Sequence, residues 1–221
     1  RAYVLVPLVV IYMFNFIDRI LLGIVQESVK QEFGLTNFQL GILGGPAFAL
    51  LFTIAGIPIA RLAERTNRIS IIATGAAIWS FFTTLCGFTQ SYLQLLLARI
   101  GVGIGEAACV PPSHSVISDY FPADRRASAL SIYALGIPLG SGIAAIGGGW
   151  LTQNFDWRSA FWLLGAPGLL AALLLKLTVR EPPRMKAQEQ APTFAETLKA
   201  LGRKPSFWHN EIGRASCREK V

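Results

Sequence analysis

The chain has 221 residues, of which 52% are hydrophobic and only 15% are charged. A soluble domain carries about 25% charged residues, and here the charges are clumped between long uncharged runs, which reads as a membrane protein with several spans. The formal charge of +7 does not imply nucleic acid as a partner, because the basic residues stand in short loops between apolar runs, where a positive-inside bias puts them.

A helix needs about 20 apolar residues to cross roughly 30 Å of hydrocarbon. Six stretches meet that length: Tyr3–Val25, Gln39–Ala60, Ile69–Phe88, Leu93–Val116, Ala127–Leu151 and Ser159–Val179. The first is too long for a signal-peptide core and carries internal charge, which argues against one. The longest connection is expected over Gln26–Phe38, with Thr36 or Asn37 as the N-cap of the second helix. Lys and Arg counts orient the bundle. One side holds Arg1, Arg61, Arg65, Arg68, Arg125, Arg126, Arg180, Arg184 and Lys186, and the other only Lys30 and Arg158. The first side, with the N-terminus, is therefore cytoplasmic.

The spans give a six-helix transmembrane bundle over residues 1–180, followed by a polar cytoplasmic linker over 181–210. In "PTFAETLKALGRKP" Phe194, Leu198 and Leu201 share one side of a surface helix. The stretch "EIGRASCREKV", Glu211–Val221, resembles a translated sequencing adapter and is set aside as an artefact, Cys217 with it. The chain opens at Arg1 without an initiator Met, so its start is expected to be incomplete. Cys86 and Cys109 fall inside apolar runs and read as small packing residues. No paired Cys motif calls for a disulfide, a metal or a cofactor.

Charge inside the spans asks for a reason. "FNFIDRILLG" places Asn15, Asp18 and Arg19 on one helix face, and "RIGVGIGEA" does the same for Arg99, Gly103 and Glu106. A charge at membrane depth costs at least ~2.5–3.5 kcal/mol on insertion scales, so such groups turn towards protein or a wet cavity and find partners. The cheapest arrangement sets Asp18 near Arg99 and Arg19 near Glu106. Desolvation favours a neutral carboxyl and a nearby arginine favours the charged one, so this cluster suits proton coupling. Its arginines suit an anionic headgroup. A static ion pair that only fixes helix packing is the competing reading. Three-helix units related by inversion would make the first and fourth helices counterparts, and both carry embedded charge.

"GVGIGEA" lies within a span and lacks the preceding strand of a nucleotide loop, so its glycines serve helix packing. The run "LGIPLGSGIAAIGGGWL", with Gly136, Pro138, Gly140, Gly142 and Gly147, lets a helix bend and approach a neighbour. His114 and Asp119 in "HSVISD" have acyltransferase-like spacing. An integral membrane enzyme is thus one alternative class, and a non-transporting membrane scaffold another. In "GIPIARLAERTNR", Arg61, Arg65 and Arg68 surround Glu64 between the second and third helices, and a tight charged turn there would latch two bundle halves.

"ARLAERTNR" resembles the loop signature of the major facilitator superfamily, departing from it at Ala60, Glu64 and Asn67. Arg99 with Gly103 is similar to that family's fourth-helix motif, and Gly136–Gly142 to its fifth. Within the superfamily "NFIDR", "RIGVGIGEA" and "WRSAFWLLGAPGLL" look like the spinster-like branch. The resemblance implies an all-α, twelve-helix transporter, not an enzyme, of which this chain holds the N-terminal six helices as two inverted three-helix repeats. Expected partners are a small organic or lipid-like substrate, protons, membrane lipids and the missing C-terminal half, in a bacterial inner membrane. It further implies that Asp18 and Arg19 are the first-helix coupling pair with Arg99 and Glu106 as fourth-helix partners, and Asn15, on the same face, joins them as a candidate for binding substrate or coupling protons. Conformational gating would fall to Arg61, Glu64, Arg65, Arg68, Gly136, Pro138 and Gly140.

Overall fold

A computed structural model describes residues 2–183. The positions expected to form the surface helix of the linker, and the stretch 211–221, lie outside the described residues. Within them every regular element is helical. Six helical stretches are long and apolar enough to cross a membrane: Leu5–Phe33, Asn37–Arg65, Arg68–Cys86, Tyr92–Tyr120, Ala123–Asn154 and Trp157–Thr178.

The first span is one helix, α1 (Leu5–Phe33), and it is longer than the sequence suggests. The expected connection over Gln26–Phe38 is mostly helix. "QESVKQEF" looks like a loop because it is polar, yet Val25 and Val29 continue the apolar stripe into the core and are fully buried. The helix stops at Gly34, whose φ of 62° and bond from its N–H to the Lys30 carbonyl make a left-handed cap. Only residues 34–36 remain as connection. Thr36 then caps α2 (Asn37–Gly44), in a capping box in which Gln39 answers with its side chain.

Proline explains where the longer spans break. The second span divides at Gly45 into α2 and α3 (Pro46–Arg65), because Pro46 carries no N–H to continue the ladder. The third span is α4 (Arg68–Cys86). The fourth divides after Glu106 into α5 (Tyr92–Glu106) and α6 (Val110–Tyr120). Pro111 and Pro112 cannot donate back to the carbonyls of Ala107 and Ala108, so the chain turns there. In the fifth span α7 (Ala123–Ala134) yields to α8 (Gly136–Ile143) at Leu135, where Pro138 leaves the Ala134 carbonyl without its helical donor. A π-turn over Ala144–Gly148 leads into α9 (Gly149–Asn154). Pro58 in α3 and Pro167 in α10 (Trp157–Thr178) sit inside unbroken helices.

The core is built around α1, α4, α5 and α10. Helix α10 packs along α4, α4 along α5, and α1 against both α8 and α10. Close approach of α1 and α8 depends on Gly136 and Gly140. A Cβ at Gly136 would stand 3.0 Å from the Met13 backbone nitrogen, and one at Gly140 would collide with the Met13 carbonyl. The glycines of this run do not act as one group: Gly142 faces open space and Pro138 is exposed. The second span, α2 with α3, is the least enclosed, with 7% of its apolar window buried against 61% for the fourth. It presents Leu50, Ile54 and Ile57 outwards.

Two polar knots tie the ends. At the end bearing the loops 66–67 and 121–122, Arg68 is buried, with its Nε 2.6 Å from Glu181 and its Nη1 2.5 Å from Asp119. Ser115 accepts from the same Nη1. The second Glu181 oxygen accepts from the Ile69 N–H at the start of α4. At the opposite end Arg158 holds Glu32 through both guanidinium nitrogens at 2.7 Å, and Trp157 donates to the same carboxylate. Arg158 also donates to the Thr89 carbonyl. Three loops are fastened in each case by a bidentate or branched arginine, the geometry that a guanidinium fork favours.

Candidate functional site

The first and fourth spans cross at their middles. Arg19 is the central residue of Leu5–Phe33, and Glu106 is the central residue of Tyr92–Tyr120. Arg19 Nε donates to Glu106 Oε2 at 2.7 Å. Two turns away along α5, Arg99 Nη1 donates to Asp18 Oδ2 at 3.1 Å. Thr83 of α4 completes that second pair by donating its hydroxyl to Asp18 Oδ1 at 2.7 Å. Asp18, Arg99 and Glu106 are all buried, whereas the Arg19 side chain is 32% exposed. The structure thus brings together Asp18 with Arg99 and Arg19 with Glu106, the arrangement that spacing alone made cheapest.

Aromatic rings surround the arginines. The Arg19 guanidinium carbon lies 5.1 Å from the centre of the Phe52 ring and 5.6 Å from those of Phe16 and Phe48. The Arg99 guanidinium carbon lies 5.5 Å from the centre of the Phe48 ring. Phe48 therefore contacts two guanidiniums, and each contact adds roughly 0.5–2 kcal/mol of cation–π attraction. Gly103 makes room for it, since a Cβ there would stand 3.2 Å from the Phe48 ring. Sequence reading missed these phenylalanines. The available signal was the pairing of Phe48 and Phe52 four apart on one helix face, opposite a span carrying arginine.

The cluster is polar beyond its pairs. Among the described residues, both side-chain atoms of Asn15, Glu106 Oε1 and Arg99 Nε are buried without a hydrogen-bond partner. Buried polar groups are nearly always satisfied, so these orphans single out the crossing as the candidate site.

The gating candidates separate. Arg68 is the centre of the knot with Asp119 and Glu181. Arg61, Glu64 and Arg65 are exposed on the last turns of α3. Gly136 and Gly140 press α8 onto α1, the helix that carries Asn15, Asp18 and Arg19. Neither Asp119 nor Glu181 could be paired with Arg68 from spacing, because Arg68 and Asp119 lie on different spans and Glu181 lies beyond the last. The spacing of His114 and Asp119 does not make a dyad: Asp119 is taken by Arg68, and the exposed His114 ring stands edge-on to Tyr133 at 5.5 Å.

Residues 8–217 match the family model described as the Major Facilitator Superfamily. An MFS-type efflux pump of Mycolicibacterium smegmatis is 34% identical over 197 residues, which cover 87% of this chain and 45% of the pump. Protein spinster homolog 1 of Mus musculus is 33% identical, with 96% of this chain and 42% of that protein covered. Among solved structures, a bacterial homologue of the human lysosomal transporter Spinster, in an inward-facing and unoccupied conformation, is 40% identical with a TM-score of 0.79. That match covers 96% of this chain and 51% of the other. The chain thus spans about half the length of the relatives it matches. With six apolar spans, a buried charge crossing between the first and fourth, and a family model matched over nearly its whole length, the chain belongs to the Major Facilitator Superfamily.

Proposed function

We propose that this chain is the N-terminal half of a proton-coupled secondary transporter that moves a small amphiphilic or lipid-like organic solute by alternating access. The observation that carries this reading is the mid-span crossing. Two ion pairs join α1 to α5, and the Arg19 guanidinium is bonded to Glu106 on one side while its remaining exposure is framed by Phe16, Phe48 and Phe52. A cation beside aromatic rings suits a solute with a polar or anionic head and an apolar body. Proton movement enters because Glu106 and Asp18 are the carboxylates held by arginines there. A proton on Glu106 weakens its hold on Arg19 and leaves that guanidinium free for a solute headgroup, and departure of the proton restores the pair. Protonation of Glu106 and solute binding at Arg19 then favour one another.

The partner that completes the site is the C-terminal half, packed on the outward apolar faces of α3 and α8. Rocking of the two halves about the crossing exposes it to each side in turn. Arg68, with Asp119 and Glu181, keeps the expected cytoplasmic ends of the third, fourth and sixth spans together during that motion, and Arg61, Glu64 and Arg65 meet the opposite half there. The glycine contacts of Gly136 and Gly140, with the ladder break at Pro138, let the fifth span follow α1. The N-terminus faces the cytoplasm, and the membrane is a bacterial inner membrane.

The test is transport by the full-length protein in proteoliposomes with a dye-labelled single-chain phospholipid and an imposed pH gradient. Glu106→Gln should abolish gradient-driven accumulation or efflux, while Glu32→Gln, at the far knot, should not. Gradient-driven transport that survives Glu106→Gln and Asp18→Asn together would reduce the crossing to a structural brace. Transport by the six-helix chain alone would also contradict the reading, since half of the site would be absent.

A further inference from the structure

Hydroxyls inside these helices are commonly spent on their own backbone. Those of Thr53, Thr84, Ser113, Ser131, Thr152 and Thr178 each donate to the carbonyl four positions back. Ser80 of α4 departs from that habit. Its hydroxyl has no hydrogen-bond partner among the described residues, although only 1% of the residue is exposed. The oxygen is directed at α10, where a Cβ on Gly168 would collide with it. A buried hydroxyl without a bond is destabilising, and packing alone would be served better by alanine.

A cavity lies beside this hydroxyl, between α1, α4 and α10. It measures about 10 Å³, close to the least space that holds one water. Phe14, Trp79 and Leu164 supply apolar wall, and Asp18, Ser80 and Thr83 line the same space. Gly165 of α10 lines it as well, and no side chain can fill it from there: a Cβ on Gly165 would stand 2.8 Å from Thr83 Cγ2. Cavities that stay dry are walled by apolar groups alone; this one has a carboxylate and two hydroxyls. Asp18 Oδ1 accepts from Thr83 and Oδ2 from Arg99, which leaves the carboxylate with lone pairs to spare. Thr83 has given its proton to Asp18 and can still accept.

We propose that this cavity holds one resident water, and that through it Ser80 is a positioning residue for Asp18. The Ser80 hydroxyl donates to the water. The water donates in turn to the Asp18 carboxylate and to the Thr83 oxygen. That gives it the number of polar partners a buried water takes, and it satisfies the hydroxyl that the helix leaves unbonded. The carboxylate that neutralises Arg99 is thereby fastened to α4 twice, directly by Thr83 and through the water by Ser80, one turn earlier. The site depends neither on the transported solute nor on proton coupling.

Ser80→Ala in the full-length protein decides the matter, because a stranded hydroxyl and a bridged one differ in sign. Loss of a stranded hydroxyl would leave the folding equilibrium constant unchanged or raise it. Loss of the bridge should lower it about five-fold, read by SDS-titrated unfolding in mixed micelles. In the Asp18→Asn protein the same change should cost only about two-fold, since the bridge then ends on a neutral amide. Solid-state NMR separates positioning from packing. Aspartate carboxyls are labelled with carbon-13, and the Asp18 signal is identified by its loss in Asp18→Asn. Magnetisation passed from water should reach that carboxyl, and the transfer should fall several-fold in Ser80→Ala. A neutral or stabilising Ser80→Ala, or an Asp18 carboxyl that receives nothing from water, overturns the proposal. Transfer of equal strength with and without the Ser80 hydroxyl overturns it too.

Discussion

Replacing Asp18 and Arg99 singly and together gives the sharpest test of the charge crossing. Asp18 and Arg99 keep only 3% and 4% of their surface, so neither is screened by water. Asp18→Asn leaves the Arg99 guanidinium buried without its bonded counter-charge, and Arg99→Gln leaves the Asp18 carboxylate with the Thr83 hydroxyl as its one remaining hydrogen-bond donor among the described residues. Breaking a buried pair from one side costs about 3–5 kcal/mol, chiefly the cost of the orphaned charge. If the two losses were independent, the double variant would lose roughly 6–10 kcal/mol. It should lose much less, because both charges are gone and two neutral amides can bond to each other and to Thr83. We expect a coupling of at least about 2 kcal/mol. Thr83→Val, nearly the same shape, sets the scale of the hydroxyl at about 1.5–3 kcal/mol. The measurement is SDS-titrated unfolding of the full-length protein in mixed micelles, read by tryptophan fluorescence; Trp79 is buried on the neighbouring α4. Losses that add to within about 0.5 kcal/mol would refute the pairing.

Two further outcomes follow from packing. Arg68→Lys should lower stability by about 1–3 kcal/mol in the same titration, since a point charge cannot serve Glu181 through Nε and Asp119 and Ser115 through Nη1 at once; a loss no greater than that of an exposed Arg125→Lys control would count against the knot. Gly105→Ala should cost about 1–3 kcal/mol, because its Cβ would stand 2.6 Å from the Trp79 backbone nitrogen and must drive α5 from α4. A neutral result in that variant would mean that the two helices are less close than described.

The six spans and their charged faces were legible because each is a property of one segment. Composition gave the spans, and three-and-four spacing gave the faces of Asn15, Asp18 and Arg19 and of Arg99, Gly103 and Glu106. The partnering between those faces was legible too, since four embedded charges have few ways to be neutralised. Helix ends were harder. "QESVKQEF" is polar, and length and polarity alone assign it to a loop; only the burial of Val25 and Val29 and the left-handed cap at Gly34 reveal the extra two turns.

Knots between three segments stayed hidden for a different reason. Arg68 looked like one more positive-inside arginine, and nothing in its neighbourhood distinguishes it from Arg61 or Arg65. Its burial comes from Asp119, fifty-one positions on, and Glu181, one hundred and thirteen positions on. The Glu32–Arg158 knot has the same character, with partners 126 positions apart. Spacing rules hold within a helix, where three or four positions return to the same face, and say nothing of which helices are neighbours. The charge crossing escaped that limit because hydrocarbon penalises every unpaired charge inside it, so the pairing problem had one economical solution. At the water-facing ends the penalty is small, many pairings cost the same, and only the packing of α4, α6 and α10 chooses among them. The same contrast sets what mutation should do: loss at the crossing leaves a charge in a dry interior, while loss of the arginine at a knot leaves the partly exposed carboxylates of Glu32, Asp119 and Glu181 within reach of water.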